Sequence, residues 1–302
     1  MGIPVEIRKI DLLHKDFIDG VRLKYGHTLS SHAFVSLYLW QHAMNLSLLC
    51  NDDFFAVKCG AEKLNNWFFP CGNTQKIYDF ISGKILDESF SLCFLRDCDV
   101  NWLDENFPDK WSFRRVESSD EYICNISEYV SLKGSKFSEI RRKIRKIDKE
   151  YDIKVREISD DTLSDAMYVA DKWYEEVHNI AENGLSDDMI AEIALNKKEE
   201  LDISGIVLYA DNIPSCIFAG FPLTEDTVDV LIGKCTPNAP KGAVYYALRE
   251  YLKFSGGEYV YCNHEEDLGI EGIRQVKNSL CPISKTHIWE AVLNEKNGLF
   301  HT

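Results

Sequence analysis

The chain of 302 residues is 45% hydrophobic and 27% charged, the make-up of a soluble globular protein with one large or two medium domains. Its net charge of −15 opposes broad binding to nucleic acid or anionic membranes, and no apolar run approaches the ~20 residues a membrane span needs. Ten cysteines form no CxxC pair and none stands at a zinc spacing from histidine, so no metal or disulfide is expected and a reducing cytoplasm is the consistent setting.

The opening segment M-G-I-P-V-E has no basic-then-apolar signal region, and Glu6 breaks the myristoylation pattern that Gly2 would begin. A strand is expected from Pro4 to Arg8 and a helix around Leu12–Leu23. Ser30 then caps an apolar, aromatic helix that runs to Trp40, and its stripe reads as core. Strands follow at Leu46–Cys50, Phe54–Cys59 and Asn66–Pro70, with Asn51-Asp52-Asp53 turning between the first two. A helix over Thr74–Ile85, a strand at Ser91–Leu95 and a helix near Asn101–Phe107 complete a first α/β unit. Its loops hold no nucleophile–base pair, so it is expected to shape the wall of a cleft. Cys59, Cys93 and Cys216 lie in apolar strand-like runs and read as small buried hydrophobes.

Ser118–Cys124 leads through Tyr129–Leu132 into Lys133–Lys149, which holds eight basic residues against two acidic ones. That net +6 leaves about −21 on the rest of the molecule. Ile140, Ile144 and Ile147 recur at i, i+4 and i+7, so the segment is an amphipathic helix with a cationic outer face. It reads either as a solvated surface or, through Lys136, Arg141, Arg142 and Arg145, as a binder of phosphate. A strand at Asp152–Glu157 and helices at Asp160–His178 and Asp187–Leu195 come next. Ile203–Ala210, Ser215–Pro222 and Val228–Lys234 read as three strands, the first pair joined by a tight turn at Asp211-Asn212-Ile213-Pro214. A helix over Lys241–Phe254 ends at Gly256-Gly257.

The most informative stretch runs from Tyr259 to Pro282. An apolar strand, Tyr259–Cys262, delivers Asn263, His264, Glu265, Glu266 and Asp267 to its carboxyl end, where open α/β sheets bind ligands. Gly269 and Gly272 let the chain turn, and Ile270, Ile273 and Val276 continue at helical spacing. If extension persists, Asn263, Glu265 and Asp267 share one side and His264 and Glu266 the other. The acids read either as a solvated turn capping a helix from Gly269 onward or as catalytic groups. In the second reading Glu265 or Asp267 is the general base, His264 the alternative base, and Tyr261 or Tyr245 the acid. Neighbouring acids would raise a glutamate's pKa toward a useful range. Lys234, ending a strand at the same end of the sheet, is a candidate for binding a carboxylate or phosphate.

Asn263, Glu265, Asp267, Gly269, Gly272, Arg274, Lys277 and Pro282 together resemble the ending of the phosphatidylglycerol lysyltransferase C-terminal-like family, with His264 where that family usually has arginine. Ser30, Phe34, Leu37 and Trp40, the step Phe68-Phe69-Pro70-Cys71-Gly72, and Trp173 are similar to further family positions. The basic helix is similar too, although Arg142-Lys143 stands where the family has Arg-Asn. The resemblance implies an α/β (α+β) fold of two tandem GNAT-like (N-acyltransferase) units, each a mixed twisted sheet flanked by helices. They are expected over 1–125, degenerate, and 126–302, carrying the site, with Glu265 and Asp267 at a cleft between them.

The activity implied is acyl transfer to an amine or hydroxyl, with a carboxylate taking the proton and backbone N–H groups holding the oxyanion. Asn263, Lys234, Arg274, Tyr245 and Trp173 would bind substrate. The donor implied is aminoacyl-tRNA, its phosphates met by the basic helix. Coenzyme A thioesters are the other donor, but GNAT proteins seat pyrophosphate on a glycine-rich turn, and Lys234–Ala243 has one glycine and two prolines. The competing class is a non-catalytic ligand-binding or regulatory protein on a duplicated GNAT fold.

Overall fold

The computed structural model describes residues 7–60, 65–178, 187–255, 257 and 259–294. Pro4–Glu6 and Gly256 lie outside them, while Arg8 forms an isolated bridge to Leu48. In the first part, helices α1 (Lys15–Lys24) and α2 (Phe34–Trp40) precede strands β1 (Ser47–Asn51), β2 (Phe54–Cys59), β3 (Asn65–Phe68) and β4 (Cys71–Gly72). Then come α3 (Thr74–Lys84), β5 (Phe90–Leu95), α4 (Asp97–Asn106) and β6 (Trp111–Arg115). The second part holds β7 (Glu121–Asn125), α5 (Ile126–Ser131), α6 (Ser138–Glu150), β8 (Ile153–Glu157), α7 (Leu163–His178) and α8 (Asp187–Asn196). It continues with β9 (Ser204–Ala210), β10 (Ile213–Pro222), β11 (Thr227–Cys235), α9 (Ala243–Ser255), β12 (Tyr261–Asn263), α10 (Glu271–Ser279) and β13 (Ser284–Thr286), and β14 (Trp289–Leu293) ends it. Among the described residues no helix is long and apolar enough to cross a membrane.

These elements form two mixed seven-stranded sheets, ordered β1-β2-β3-β5-β14-β6 with β4 beside β2, and β13-β7-β12-β11-β10-β9-β8. The chain accordingly divides into residues 1–121 with 286–302, and residues 122–285. A division by chain order assigns β14 to the second unit. Instead it fills the gap between β5 and β6, with Trp289 opposite both Leu95 and Arg115. Physically, β14 satisfies two ladders of backbone groups that would otherwise stay unpaired.

In the first unit the core gathers Phe54, Trp67, Phe69, Phe90 and Leu92, and Cys59 and Cys93 are buried as their apolar runs imply. Polar side chains are buried here as well. His27 and His32 are 2% and 0% exposed with ring centroids 3.9 Å apart. His32 Nε2 lies 2.9 Å from the Phe69 carbonyl, whereas neither ring nitrogen of His27 has a hydrogen-bond partner among the described residues. Burial, the larger cause, and the nearby Arg22 and Arg96 hold both imidazoles neutral, with His32 lowered to about 3.

In the second unit the turns follow local chemistry. Asp211 and Asn212 take φ values of +53° and +65° between the paired residues Ala210 and Ile213, the two-residue hairpin that favours Asp and Asn. Pro214 therefore already belongs to β10. Gly220 is required where β10 passes β11, since a Cβ there would meet the Asp229 carbonyl at 1.8 Å. Ile140, Ile144 and Ile147 of α6 are buried in this core with Phe137, Leu208 and Tyr251, so its basic residues face outward.

The histidine pair sets a pH dependence. Both pKa values are lowered on folding, so below about 6.5 the unfolded chain takes up protons that the folded unit excludes, and stability falls with pH. Urea titrations should give a stability about 2–3 kcal/mol lower at pH 5.5 than at pH 7.5, at ~1.4 kcal/mol for each histidine. Replacing His27 by Leu should remove about half of that slope, and an unchanged slope would contradict the assignment.

Candidate functional site

The site is built where β12 ends. This strand is three residues long, paired parallel with Thr227–Asp229 of β11 and antiparallel with Ile123–Asn125 of β7. Such a doubly paired strand is suited to an apolar run, and Cys262 and Asn263 are fully buried. The His264 N–H reaches the Tyr122 carbonyl at 2.9 Å and extends the ladder by one step. The chain then turns, with Glu265 at φ +54° and its N–H donating to Asn263 Oδ1 at 2.8 Å.

That turn overrides the alternation expected from the sequence. Asn263 and Asp267 are 0% and 1% exposed, whereas Glu265 and Glu266 are half-buried. Asp267 is surrounded by donors. Tyr122 Oη donates to Oδ2 at 2.6 Å, Arg274 binds both oxygens at 2.9 and 3.1 Å, and the Gly269 N–H reaches Oδ1 at 2.8 Å. Burial pushes this carboxyl up, but the bonds from Arg274, Tyr122 and Gly269 outweigh it and hold the pKa down at about 2. A carboxylate so saturated is a poor proton acceptor, so the geometry makes Asp267 and Arg274 the brace of the turn. Helix α10 begins at Glu271, later than Gly269, because Leu268 and Gly269 both take positive φ.

Lys277 reaches back from α10 and donates to the carbonyls of His264 and Glu266. Burial lowers its pKa, opposed by Glu265, Glu266, Asp229 and Asp267 around it. His264 is itself 7% exposed, with Nε2 3.3 Å from the Cys262 thiol, so its ring is committed inward and does not suit a general base. The Cys262 thiol is held above its usual range by burial. Of the proposed bases, Glu265 keeps a half-buried side chain at the turn. Tyr261 is half-buried at the start of β12, four residues before it. Tyr245 is buried on α9, where its hydroxyl accepts from Ser279 Oγ at 3.2 Å.

Beyond Asp229 the two parallel strands part. β12 stops pairing there while β11 continues to Cys235, and a bulge falls in β11 between Asp229 and Ile232. N–H groups of the Val230–Lys234 stretch that point away from β10 are donors facing the side that β12 has left. Lys234 and Trp173 do meet, with Nζ 3.4 Å from the indole centroid. Lys234 lies five residues beyond Asp229, ~17 Å along β11 at 3.3 Å per residue.

Lys234–Ala243 commits part of its backbone internally. The N–H groups of Thr236, Ala239, Ala243 and Tyr245 all bind backbone carbonyls, and Pro237 and Pro240 have none to offer. Gly242, at φ +95°, is overlaid by Lys143 of α6, whose Cβ would stand 3.0 Å from a Cβ at that position. This helix start thus lacks the glycine-rich turn on which a pyrophosphate is usually seated.

The basic helix divides its residues. Arg141 caps α5 through the Leu132 and Gly134 carbonyls, Lys136 pairs with Glu128 at 2.5 Å, and Arg142 with Glu139 at 2.7 Å. Arg145 makes none of these contacts. Together with Ser138, Arg141, Arg142, Lys146 and Lys149 it lines a shallow groove of about 450 Å³ along α6.

The sequence reading passed over Asp229, Tyr122 and Lys285. Asp229 is a fully buried acid opposite Asn263, and its signal was a lone carboxylate in the apolar run Val228–Ile232. Tyr122 has Lys285 Nζ 3.9 Å over its ring, a pairing with no local sequence signal.

Replacing Asp267 by Asn leaves Arg274 without its bidentate partner. The variant should lose about 2–4 kcal/mol in a urea or thermal melt, with Arg274→Ala losing less because that side chain is partly exposed. A wild-type melting temperature in Asp267→Asn would remove the bracing role.

Comparison with known proteins agrees with this arrangement. Among curated proteins none matches the sequence. A conserved protein of unknown function from Bacteroides thetaiotaomicron superposes with a TM-score of 0.88 at 23% identity, covering 96% of this chain and 100% of that one. L-PGS from Bacillus licheniformis superposes with a TM-score of 0.64 at 14% identity, over 94% of this chain and 92% of its own. FemX does so at 0.57 and 8% identity, over 96% and 98%. The chain thus shares the fold of these proteins, two mixed sheets flanked by helices. The profile of the family described as phosphatidylglycerol lysyltransferase, C-terminal, matches residues 23–287, and the chain belongs to that family.

Proposed function

We propose that the protein transfers an aminoacyl group from aminoacyl-tRNA to an amine or hydroxyl acceptor. The observation that carries this reading is the cationic outer face of α6 on a chain of net charge −15. A solvated helix gains nothing from concentrating one sign of charge, whereas a phosphate backbone does. The single glycine and two prolines before Ala243 support the same donor over a coenzyme A thioester.

In this reading the acceptor nitrogen or oxygen attacks the ester carbonyl carbon, and Glu265 takes the proton it sheds. The oxyanion is met by N–H groups of β11 beyond Asp229, positioned before the reaction begins. The carbonyl carbon–ribose oxygen bond then breaks, and the ribose oxygen leaves with the proton that Glu265 had taken, which restores the carboxylate. Asp267, Arg274 and Lys277 act by holding the turn that carries Glu265. Lys234 on Trp173 is the cation nearest the far end of the splay, suited to a carboxylate or phosphate of the substrate.

Binding of a mixed aminoacyl-tRNA pool should weaken roughly 10- to 100-fold between 50 and 200 mM salt, as for about four phosphate contacts. On adding amine and hydroxyl acceptors, label should leave the tRNA in an enzyme-dependent manner. Glu265→Gln should keep the melting temperature and lose ~10²–10⁴ in that rate. Salt-independent binding, or no enzyme-dependent loss of label, would return the non-catalytic ligand-binding reading to first place, and wild-type turnover in Glu265→Gln would remove Glu265 as the base.

A further inference from the structure

The cationic groove of α6 leads into a second cavity of different character. Helix α6 ends at Tyr151, whose N–H caps the Ile147 carbonyl, two residues beyond the groove residue Lys149. Tyr151 is also a wall of a cavity of about 480 Å³ whose other walls include Tyr168 and Glu176 of α7, Asp211 of the β9–β10 turn, and Thr236 and Asn238 after β11. All of these belong to the second unit. The two tyrosine rings are 36% and 43% exposed, more than a buried core would leave them.

Charge separates the two depressions. The groove is lined by Arg141, Arg142, Arg145, Lys146 and Lys149 without an acid, whereas the cavity sets Glu175, Glu176 and Asp211 against one lysine, Lys172. Lys172 is already paired with Glu175 at 2.6 Å. A phosphate is favoured in the first and repelled from the second. Within the cavity the flat faces are tyrosines and the polar groups are carboxylates, hydroxyls and the Asn238 amide. Those groups accept hydrogen bonds from an exocyclic amine and leave a ring to stack. From Ser138 to Lys149 the helix rises ~16 Å, enough to follow two to three phosphates of an extended strand.

We propose that this cavity is a subsite for one unpaired nucleobase bearing an exocyclic amine, stacked on Tyr151 or Tyr168 while its flanking phosphates run along α6. The proposal deepens the aminoacyl-tRNA reading and rests on it, naming the part of the nucleic acid that is recognised as a base. Charged grooves that track a backbone beside aromatic platforms are how single strands are held, and one stacked base is worth roughly 5- to 150-fold in affinity.

The test uses the full chain and fluorescein-labelled RNA pentamers in anisotropy titrations at 50 and 200 mM salt. The probes are penta-adenylate, penta-uridylate and an abasic pentamer of the same charge. Penta-adenylate should bind at least ten-fold more tightly than the abasic strand and more tightly than penta-uridylate. Tyr151→Ala or Tyr168→Ala, whichever ring carries the base, should erase most of the adenylate advantage while leaving abasic binding and the salt dependence unchanged, and an adenylate advantage kept in both variants would overturn the base subsite. Arg145→Gln and Lys149→Gln should weaken all three probes alike and flatten their salt dependence. Equal, salt-dependent binding of adenylate and abasic strands would overturn the base subsite and leave the phosphate groove standing. If no pentamer binds at 50 mM salt, both the subsite and the aminoacyl-tRNA reading fall.

Discussion

The arrangement depends most on the Asp267 carboxylate. It gathers the backbone N–H of Gly269 and a guanidinium from α10, both close by in sequence, and a phenol from β7, 145 positions earlier, which would otherwise have no reason to meet them. A buried carboxylate without partners would protonate or expel its segment, so the three donors and the turn are mutually required. With that turn fixed, Lys277 can bind two of its carbonyls, and Glu265 is held at φ +54° at the strand's end. The acids clustered there thus differ in burial, Asp267 bracing the turn from inside while Glu265 and Glu266 stay half-buried.

A second constraint acts through α6. Three buried isoleucines fix which face turns outward, and the same packing brings Lys143 across Gly242 and over the Tyr245 ring at 4.4 Å. The helix with the cationic outer face is therefore also the one that covers the start of α9.

What the sequence made legible follows the range of the interactions concerned. The amphipathic period of α6 and the Asp211-Asn212 hairpin are local, and both appear in the structure much as their residues imply. The tandem fold was legible through the motif from Asn263 to Pro282, because glycines at 269 and 272 with charged residues at fixed offsets are hard to satisfy by chance. The insertion of β14 into the first sheet was not, since Trp289 pairs with residues some 175–195 positions earlier and a strand's own sequence does not name its neighbour. The side-chain alternation expected over Asn263–Asp267 failed for the opposite reason: a single residue, Glu265, leaves extended backbone, and one such step shifts every later side chain. The roles of His264 and Asp267 were undecidable from residue type alone, because a thiol from β12 and a tyrosine from β7 determine what each can do.

The central claim is that α6 and the end of β11 face the donor. Hydrogen–deuterium exchange of the full chain, with and without aminoacyl-tRNA at low salt, tests it most directly. The account predicts slower exchange over residues 138–151 and 230–240 with aminoacyl-tRNA and no such change with acetyl-coenzyme A. Protection confined to the first unit, or protection of 234–245 by acetyl-coenzyme A alone, would contradict it.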